Sequence, residues 1–184
     1  MTFEYVVKNG NIDCTLNYDV AFNMMTPAFE SGIADYCTMF EPTASEYQAQ
    51  GKGYIVASVG EESGEIPYTC FMAKQSYIKN NGEAVEALLR AVTKAVKYIN
   101  ETDSSVVAPY LTKYFDGTSE ASIATSINSY KAIDAWVTNM AMKESAFEKL
   151  QDVIDLAGEL NGRVTFSDVV VTETAQKIYE EIYK

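Results

Sequence analysis

The second half of this 184-residue sequence repeats one pattern, an apolar stripe at helical spacing, and this constrains the fold more than any other feature. Five segments predict amphipathic helices, namely Glu83–Ile99, Val106–Phe115, Glu120–Ile133, Glu144–Leu156 and Glu173–Ile182. Hardly any strand pattern follows Ala73, yet each apolar stripe has to be buried. The helices therefore either form a bundle beside the first half or cover a sheet that this chain does not contain.

The first half alternates between helical and extended patterns. Helices are predicted at Thr2–Lys8, Ala21–Glu30 and Pro42–Gln50. Strands are predicted where β-prone apolar residues cluster, at Ile12–Tyr18, Asp35–Phe40, Tyr54–Val59 and Tyr68–Ala73. Strand, helix, strand in this order is typical of an α/β fold with a parallel sheet. We expect Asp35–Phe40 to be a buried strand that delivers the Glu41-Pro42 loop to a ligand cleft.

Composition excludes several classes of function. The chain has no histidine, so no Ser-His-Asp or Cys-His catalytic site can be built from it alone. The net charge is −12 and the 14 basic residues are scattered, which argues against nucleic acid as a partner. Cys14, Cys37 and Cys70 lack the spacing of metal ligands, so we expect buried free thiols. We predict no catalytic residue, no metal site and no cofactor.

The sequence contains no apolar run long enough to span a membrane as a helix. The N-terminal residues Met1–Lys8 lack the basic and apolar regions of a signal peptide. We therefore expect either a cytoplasmic protein or a chain that begins inside a longer one.

Several motifs together resemble the solute-binding proteins of ABC importers. The first is Phe29–Pro42, in which a helix ends at Ser-Gly and a strand runs from Asp to Glu-Pro. The same order continues through Gly51–Val59, Gly64–Thr69, Ser76–Asn80 and Tyr130–Trp136. The sequence is most similar to the SsuA-like group, which serves nitrate, sulfonate, taurine and pyrimidine-type thiamine precursors.

The resemblance implies a type II periplasmic-binding-protein fold that is only partly present. Residues 1–67 would form the second α/β lobe, truncated at its N-terminus. Residues 68–184 would form a crossing strand and the C-terminal helices of the first lobe. The family implies an extracellular lipoprotein or periplasmic location and a membrane permease as partner. A dimer or a swapped copy would then cover the exposed helical faces.

The resemblance also places a cleft at the carboxyl ends of the strands, where ligands bind in open α/β sheets. Two strand ends and the crossing segment would line it. The predicted ligand-binding residues are Phe40, Glu41, Tyr18, Asp19, Phe22, Tyr68 and Thr69. Two alternatives stay open, since Phe40 either stacks on a planar ligand or fills the core. Glu41 either accepts hydrogen bonds from the ligand or favours the start of the following helix.

A cleft containing Glu41, Asp19 and Glu65 would repel sulfonate or nitrate. We therefore expect a neutral or cationic heteroaromatic or amine ligand. One alternative is the effector-sensing domain of a regulator, but no helix-turn-helix segment precedes it here. Another is a pyrimidine synthase of thiamine biosynthesis, which the absence of histidine disfavours. A third is a fragment that cannot close on ligand, because half of its cleft is missing.

Overall fold

The computed structural model describes all of residues 1–184, and 58% of them are helical. Two short 3-10 turns, Phe22–Met24 and Thr112–Tyr114, accompany eleven α-helices. These are α1 (Thr2–Asn9), α2 (Met25–Glu30), α3 (Thr43–Ala49), α4 (Val59–Ser63), α5 (Gln75–Asn80), α6 (Gly82–Glu101), α7 (Ser104–Leu111), α8 (Glu120–Ala132), α9 (Glu144–Leu156), α10 (Phe166–Val169) and α11 (Glu173–Tyr183).

Every helix predicted from apolar spacing is present, with bounds that differ by a few residues. α9 matches its prediction at both ends, and α1, α6, α8 and α11 differ only slightly. Local chemistry explains several of these ends. Ser119 accepts a hydrogen bond from the Ser122 amide at 3.1 Å at the start of α8. Asp103 does the same for the Ser105 amide at 2.8 Å at the start of α7.

The predicted α/β fold is wrong, because the structure contains no strand and no sheet. Ile12–Tyr18, Asp35–Phe40 and Tyr68–Ala73 lie outside helices, and none of them forms a strand ladder with another segment. Tyr54–Val59 is likewise unpaired until α4 begins at Val59. A strand requires backbone hydrogen bonds to a neighbour, whereas β-prone composition favours only an extended backbone. Asp35–Phe40 is also not buried, since Tyr36 and Phe40 are exposed.

The largest buried cluster lies between α7 and α8, which pack against each other. Val107 and Ala108 of α7 meet Ile123 and Ile127 of α8, and all four side chains are buried. The same α8 also contacts α3, on the side of the chain that carries the Glu41-Pro42 loop. This core therefore fixes α8 as the platform beneath that loop.

A second packing unit joins α6 to the C-terminal helix α11. Ile178 of α11 is fully buried, and Val96 and Thr93 of α6 are buried as well. Ion pairs border the contact, because the Arg90 guanidinium donates to the Glu181 carboxylate at 2.8 and 2.9 Å. These contacts hold the two ends of the predicted helical half together.

A third unit forms around α9. The Phe147 and Phe166 rings meet edge to face, with centroids 5.6 Å apart, which docks α10 on α9. Gln151 is buried, and its side chain accepts from the Val164 amide at 2.8 Å and donates to the Val164 carbonyl at 3.2 Å. Because both polar ends of this amide are satisfied, its burial carries little penalty. α1 also packs on α9 and on α4.

The chain exposes far more surface than a compact protein of its mass. Its accessible surface is 12541 Å², whereas a folded monomer of 20.4 kDa exposes about 8,800 Å². Only 16 of the 184 residues are buried. The helices therefore form separate packing units rather than one continuous core. None of these helices has the length and apolar character needed to cross a membrane.

Candidate functional site

Three of the predicted ligand-binding residues come together as an aromatic cluster, defined here as Phe22, Phe40 and Tyr68. The Phe40 ring lies at the centre, with its centroid 6.1 Å from that of Phe22 and 5.4 Å from that of Tyr68. Both pairs are tilted, a geometry that aromatic rings favour over a face-to-face sandwich. All three rings remain exposed, Tyr68 to 79%. Three exposed rings in contact form an apolar surface that is open to a ligand.

Separate loops deliver the three rings. Phe22 begins the 3-10 turn that leads into α2, and Phe40 directly precedes the Glu41-Pro42 pair that leads into α3. Tyr68 lies in the irregular segment between α4 and α5. Binding residues concentrate on loops that helices hold in place, and this arrangement has that character. The cluster also spans the predicted boundary, since Tyr68 belongs to residues 68–184 and the other two to residues 1–67.

The Glu41 carboxylate lies over the first turn of α3. It accepts hydrogen bonds from the Ser45 amide at 3.0 Å and from the Ser45 hydroxyl at 2.8 Å. The first-turn amides of a helix lack intrahelical partners, so this contact satisfies one of them. Of the two roles left open for Glu41, the helix-start role is therefore the one the structure shows. A carboxylate offers about four lone-pair positions, so two remain for a ligand.

Tyr130 of α8 is a residue that sequence reasoning did not assign to the site. Its hydroxyl accepts a hydrogen bond from the Glu41 amide at 3.3 Å. Burial raises the pKa of Tyr130 and outweighs the lowering caused by the hydrogen bond from the Glu41 amide, so this phenol stays neutral at physiological pH. The position carried a signal, because Tyr130 begins a family motif and lies on the apolar stripe of its helix.

Trp136, the only tryptophan, packs against the Tyr130 ring. The two rings meet edge to face with centroids 6.1 Å apart. The indole N–H donates to the Ile127 carbonyl at 3.2 Å, and the Trp136 carbonyl accepts from the Asn100 side chain at 2.8 Å. Trp136 is half-buried by this packing. It therefore fixes the Tyr130 ring relative to α8.

The other predicted site residues lie outside the aromatic cluster. Tyr18 lies beside Glu4 of α1. The pKa of Tyr18 is raised, mainly by partial desolvation and to a smaller extent by the Glu4 carboxylate. The Asp19 amide donates to the Asn17 side chain at 2.9 Å, and its own side chain is exposed. Thr69 follows Tyr68 and is exposed. Of the seven predicted residues, the structure thus brings only Phe22, Phe40 and Tyr68 into one cluster, with Glu41 next to Phe40 in the chain.

No group of three or more histidine, cysteine, aspartate or glutamate side chains is placed to hold a metal ion. The cysteines are free, but the prediction that all three are buried is wrong, because Cys14 and Cys70 are exposed. Their segments were expected to lie in strands of a sheet, and without that sheet nothing covers them. Cys37 is half-buried, and this burial raises the pKa of its thiol.

Comparison with known proteins establishes the family. Residues 1–109, more than half of the chain, match the model of the NMT1-like family. This chain belongs to the NMT1-like family. The predicted resemblance to SsuA-like binding proteins is confirmed. The matched residues include Phe22, Phe40, Glu41 and Tyr68, and Tyr130 lies beyond them.

The NMT1-like chain is 36% identical to a protein of Bacillus subtilis (strain 168) whose name reads "Putative binding protein YtlA". The similarity covers 98% of this chain but only 55% of the relative, so the chain spans about half the length of that protein. No solved structure matches the chain. The geometry of the site is therefore given by the contacts within this chain alone.

Proposed function

We propose that this NMT1-like chain is the solute-binding component of an ABC importer and holds a small organic molecule on the aromatic cluster. The observation that carries the proposal is the contact between Phe22, Phe40 and Tyr68, three exposed rings from three loops. Exposed apolar surface of this kind is typical of ligand sites. Membership of the NMT1-like family and similarity to a protein named as a binding protein support the same function.

The proposed ligand is a neutral or cationic heteroaromatic ring or amine rather than an anion. A planar ring stacks on Phe40 with a gain of about 0.5–1.5 kcal/mol beyond the area it buries. Glu41 is the charged residue next to Phe40, and its free lone pairs accept from an N–H group. A sulfonate or nitrate in the same place is repelled by that carboxylate. Glu65 adds little to this repulsion, because it pairs with Lys143 at 2.6 Å.

The proposed mechanism is capture without chemistry. The ligand contacts rings from residues 1–67 and from residues 68–184, so it stabilises the arrangement in which the two parts lie together. A membrane permease then recognises that arrangement and receives the ligand, and no bond is made or broken. This function requires the protein to lie on the outer side of the cytoplasmic membrane, either as a periplasmic protein or as a membrane-anchored lipoprotein. Tyr18, Asp19 and Thr69 remain proposed contacts at the edge of the site.

The large exposed surface is consistent with the predicted second copy. The chain exposes about 3,700 Å² more than a compact monomer of its mass. A standard protein interface needs only about 800 Å² from each partner. Self-association would therefore cover apolar side chains such as Tyr54 and Met72, which are 86% and 88% exposed. Light scattering that gives the mass of a monomer at all concentrations tested would exclude this copy.

The proposed function is tested by thermal unfolding with a panel of compounds. The panel contains 2-aminopyrimidine, benzylamine, taurine and sodium nitrate, each at concentrations up to the millimolar range. We expect 2-aminopyrimidine or benzylamine to raise Tm, because ligand that binds only the folded state stabilises it. The Phe40→Ala variant, which lacks the central ring, should lose that rise.

Two results would count against the proposal in different ways. A rise in Tm with taurine or nitrate alone would overturn the proposed ligand class but leave solute binding in place. A rise that is the same in the wild-type protein and in Phe40→Ala would show that binding takes place away from the aromatic cluster.

A further inference from the structure

The Tyr130 hydroxyl has an unused capacity to donate. It accepts the Glu41 amide hydrogen at 3.3 Å, and no carbonyl or side chain of the protein accepts its own proton. A phenol hydroxyl both donates and accepts, so one of its two functions is satisfied and the other is free. The side chain is half-buried, which leaves it within reach of a bound molecule.

This free donor lies at the edge of the aromatic cluster. The Glu41 amide that binds it belongs to the peptide bond that directly follows Phe40, the central ring. Tyr68, the second ring, lies against Phe40 with the two ring centroids 5.4 Å apart. The Tyr130 hydroxyl therefore lies beside the backbone that carries the Phe40 ring.

The packing around Tyr130 holds its hydroxyl in a fixed position. Trp136 packs edge to face on the Tyr130 ring, and α8 is anchored to α7 through the Val107 and Ile127 cluster. A donor that is held in place before binding loses little conformational entropy when it forms a hydrogen bond. Such groups discriminate between ligands of the same shape, because the wrong ligand leaves them without a partner.

We propose that Tyr130 determines ligand specificity by donating its hydroxyl proton to an acceptor atom on the edge of a planar ligand ring. The proposal rests on the proposed function and narrows its substrate class to rings that carry a ring nitrogen or an exocyclic carbonyl. Phe22, Phe40 and Tyr68 bind the ring face, and Tyr130 reads its edge. The aromatic cluster alone binds any flat apolar ring, so selectivity for an acceptor comes from α8.

The test compares two probes of matched size and charge. Both 2-aminopyrimidine and aniline are neutral six-membered rings with one amino group, but only the first has ring nitrogens that accept. Their dissociation constants are measured by ligand-observed NMR titration, which suits weak binding. For the wild-type protein we expect 2-aminopyrimidine to bind about 2- to 10-fold more tightly, the range for one hydrogen bond.

The Tyr130→Phe variant removes only the hydroxyl and keeps the ring packed on Trp136. We expect it to bind aniline as the wild-type protein does and to lose the preference for 2-aminopyrimidine. Tyr77→Phe on α5 is the matched control, because the Tyr77 hydroxyl makes no hydrogen bond within the chain and its ring is not among those in contact in the cluster. It should keep the preference unchanged.

Each outcome gives a decision. Equal affinity of the wild-type protein for the two probes would overturn the specificity role, even if Tyr130→Phe failed to fold. A preference retained in Tyr130→Phe would also overturn it. A loss of affinity for both probes in that variant would indicate a purely structural role for the hydroxyl. Binding of neither probe by the wild-type protein would overturn the specificity role, and the absence of a rise in Tm with every compound of the panel above would overturn the proposed function as well.

Discussion

The contact between Glu41 and Ser45 gives a sharp prediction about stability. Replacing Glu41 by alanine removes the acceptor for the Ser45 amide and the Ser45 hydroxyl, which lie 3.0 and 2.8 Å from the carboxylate. The backbone hydrogen bond from Glu41 to Tyr130 survives, because it uses the amide and not the side chain. The variant therefore isolates the contribution of the carboxylate to the start of α3.

Losing a side-chain acceptor at a helix start typically costs about 1 kcal/mol. In a protein of this size, 1 kcal/mol lowers Tm by roughly 2–4 °C. We expect Glu41→Ala to show a loss in this range, measured by urea unfolding and by thermal unfolding followed by circular dichroism. Glu46→Ala is the control, since Glu46 lies in the first turn of α3 but its carboxylate makes no side-chain hydrogen bond. It should lose less than half as much.

A double-mutant cycle with Ser45→Ala completes the test. Because the two side chains contact each other directly, their effects should be non-additive by about 0.5 kcal/mol or more. Additive effects would show that the carboxylate and the Ser45 hydroxyl do not act together. Equal losses in Glu41→Ala and Glu46→Ala would refute the specific role of Glu41 and leave only a general effect of charge near the helix start.

Three further predictions address the packing and the titratable groups. Ile178→Ala opens a cavity at a fully buried position of α11 and should cost about 2–5 kcal/mol, whereas Ile178→Val should cost about 0.5–1.5 kcal/mol in urea unfolding. An alanine effect below that of valine would show that Ile178 is not in a core. Lowering the pH should destabilise the protein, because hydrogen bonds from Lys177 and Arg90 hold the pKa values of Glu86 and Glu181 below their ordinary 4.5. The stabilisation from these hydrogen bonds is present above pH 4.5 and is lost as the pH falls through the folded-state pKa values of Glu86 and Glu181. An Arg90→Gln variant whose stability depends on pH as that of the wild-type protein does would contradict this. Cys14 and Cys70 should react quickly with a thiol reagent and Cys37 slowly, as burial raises the pKa of the Cys37 thiol, and three equal rates would argue against this placement.

The helices were predictable from the sequence because their signal is local. A stripe such as the one in α9 repeats over 13 residues, and its spacing matches a helix and nothing else. The two short helices α5 and α10 were missed, since 6 and 4 residues carry too little periodicity to detect. α4, which follows the predicted strand Tyr54–Val59, was also missed, although the Ser58 hydroxyl accepts a hydrogen bond from the Glu61 amide and starts a helix there.

The strands were not predictable, because a strand depends on a partner and not on its own residues. Tyr54, Ile55 and Val56 have the composition of a buried strand, but they are exposed and unpaired. β-propensity describes how well side chains fit a half-buried pleated surface. Where no neighbouring segment supplies that surface, the same residues stay irregular, and the α/β interpretation fails with them.

The site was predictable in part. Phe22, Phe40 and Tyr68 were named from the family resemblance, and their meeting in space is a long-range fact that spacing alone does not contain. Tyr130 was missed because its ring reads as one more apolar position of α8. Its hydroxyl acquires a role only when α8 packs against the start of α3.

The central claim is that ligand binds on the aromatic cluster, and one comparison tests it most directly. The affinity for 2-aminopyrimidine is measured for the wild-type protein, for Phe40→Ala and for Phe71→Ala. Phe71 is 65% exposed and lies outside the cluster, so its variant controls for the loss of any exposed ring. We predict that Phe40→Ala weakens binding about 2- to 10-fold, because a ligand ring that stacks on Phe40 gains about 0.5–1.5 kcal/mol, while Phe71→Ala leaves the affinity unchanged. Equal affinities for all three proteins would contradict the account.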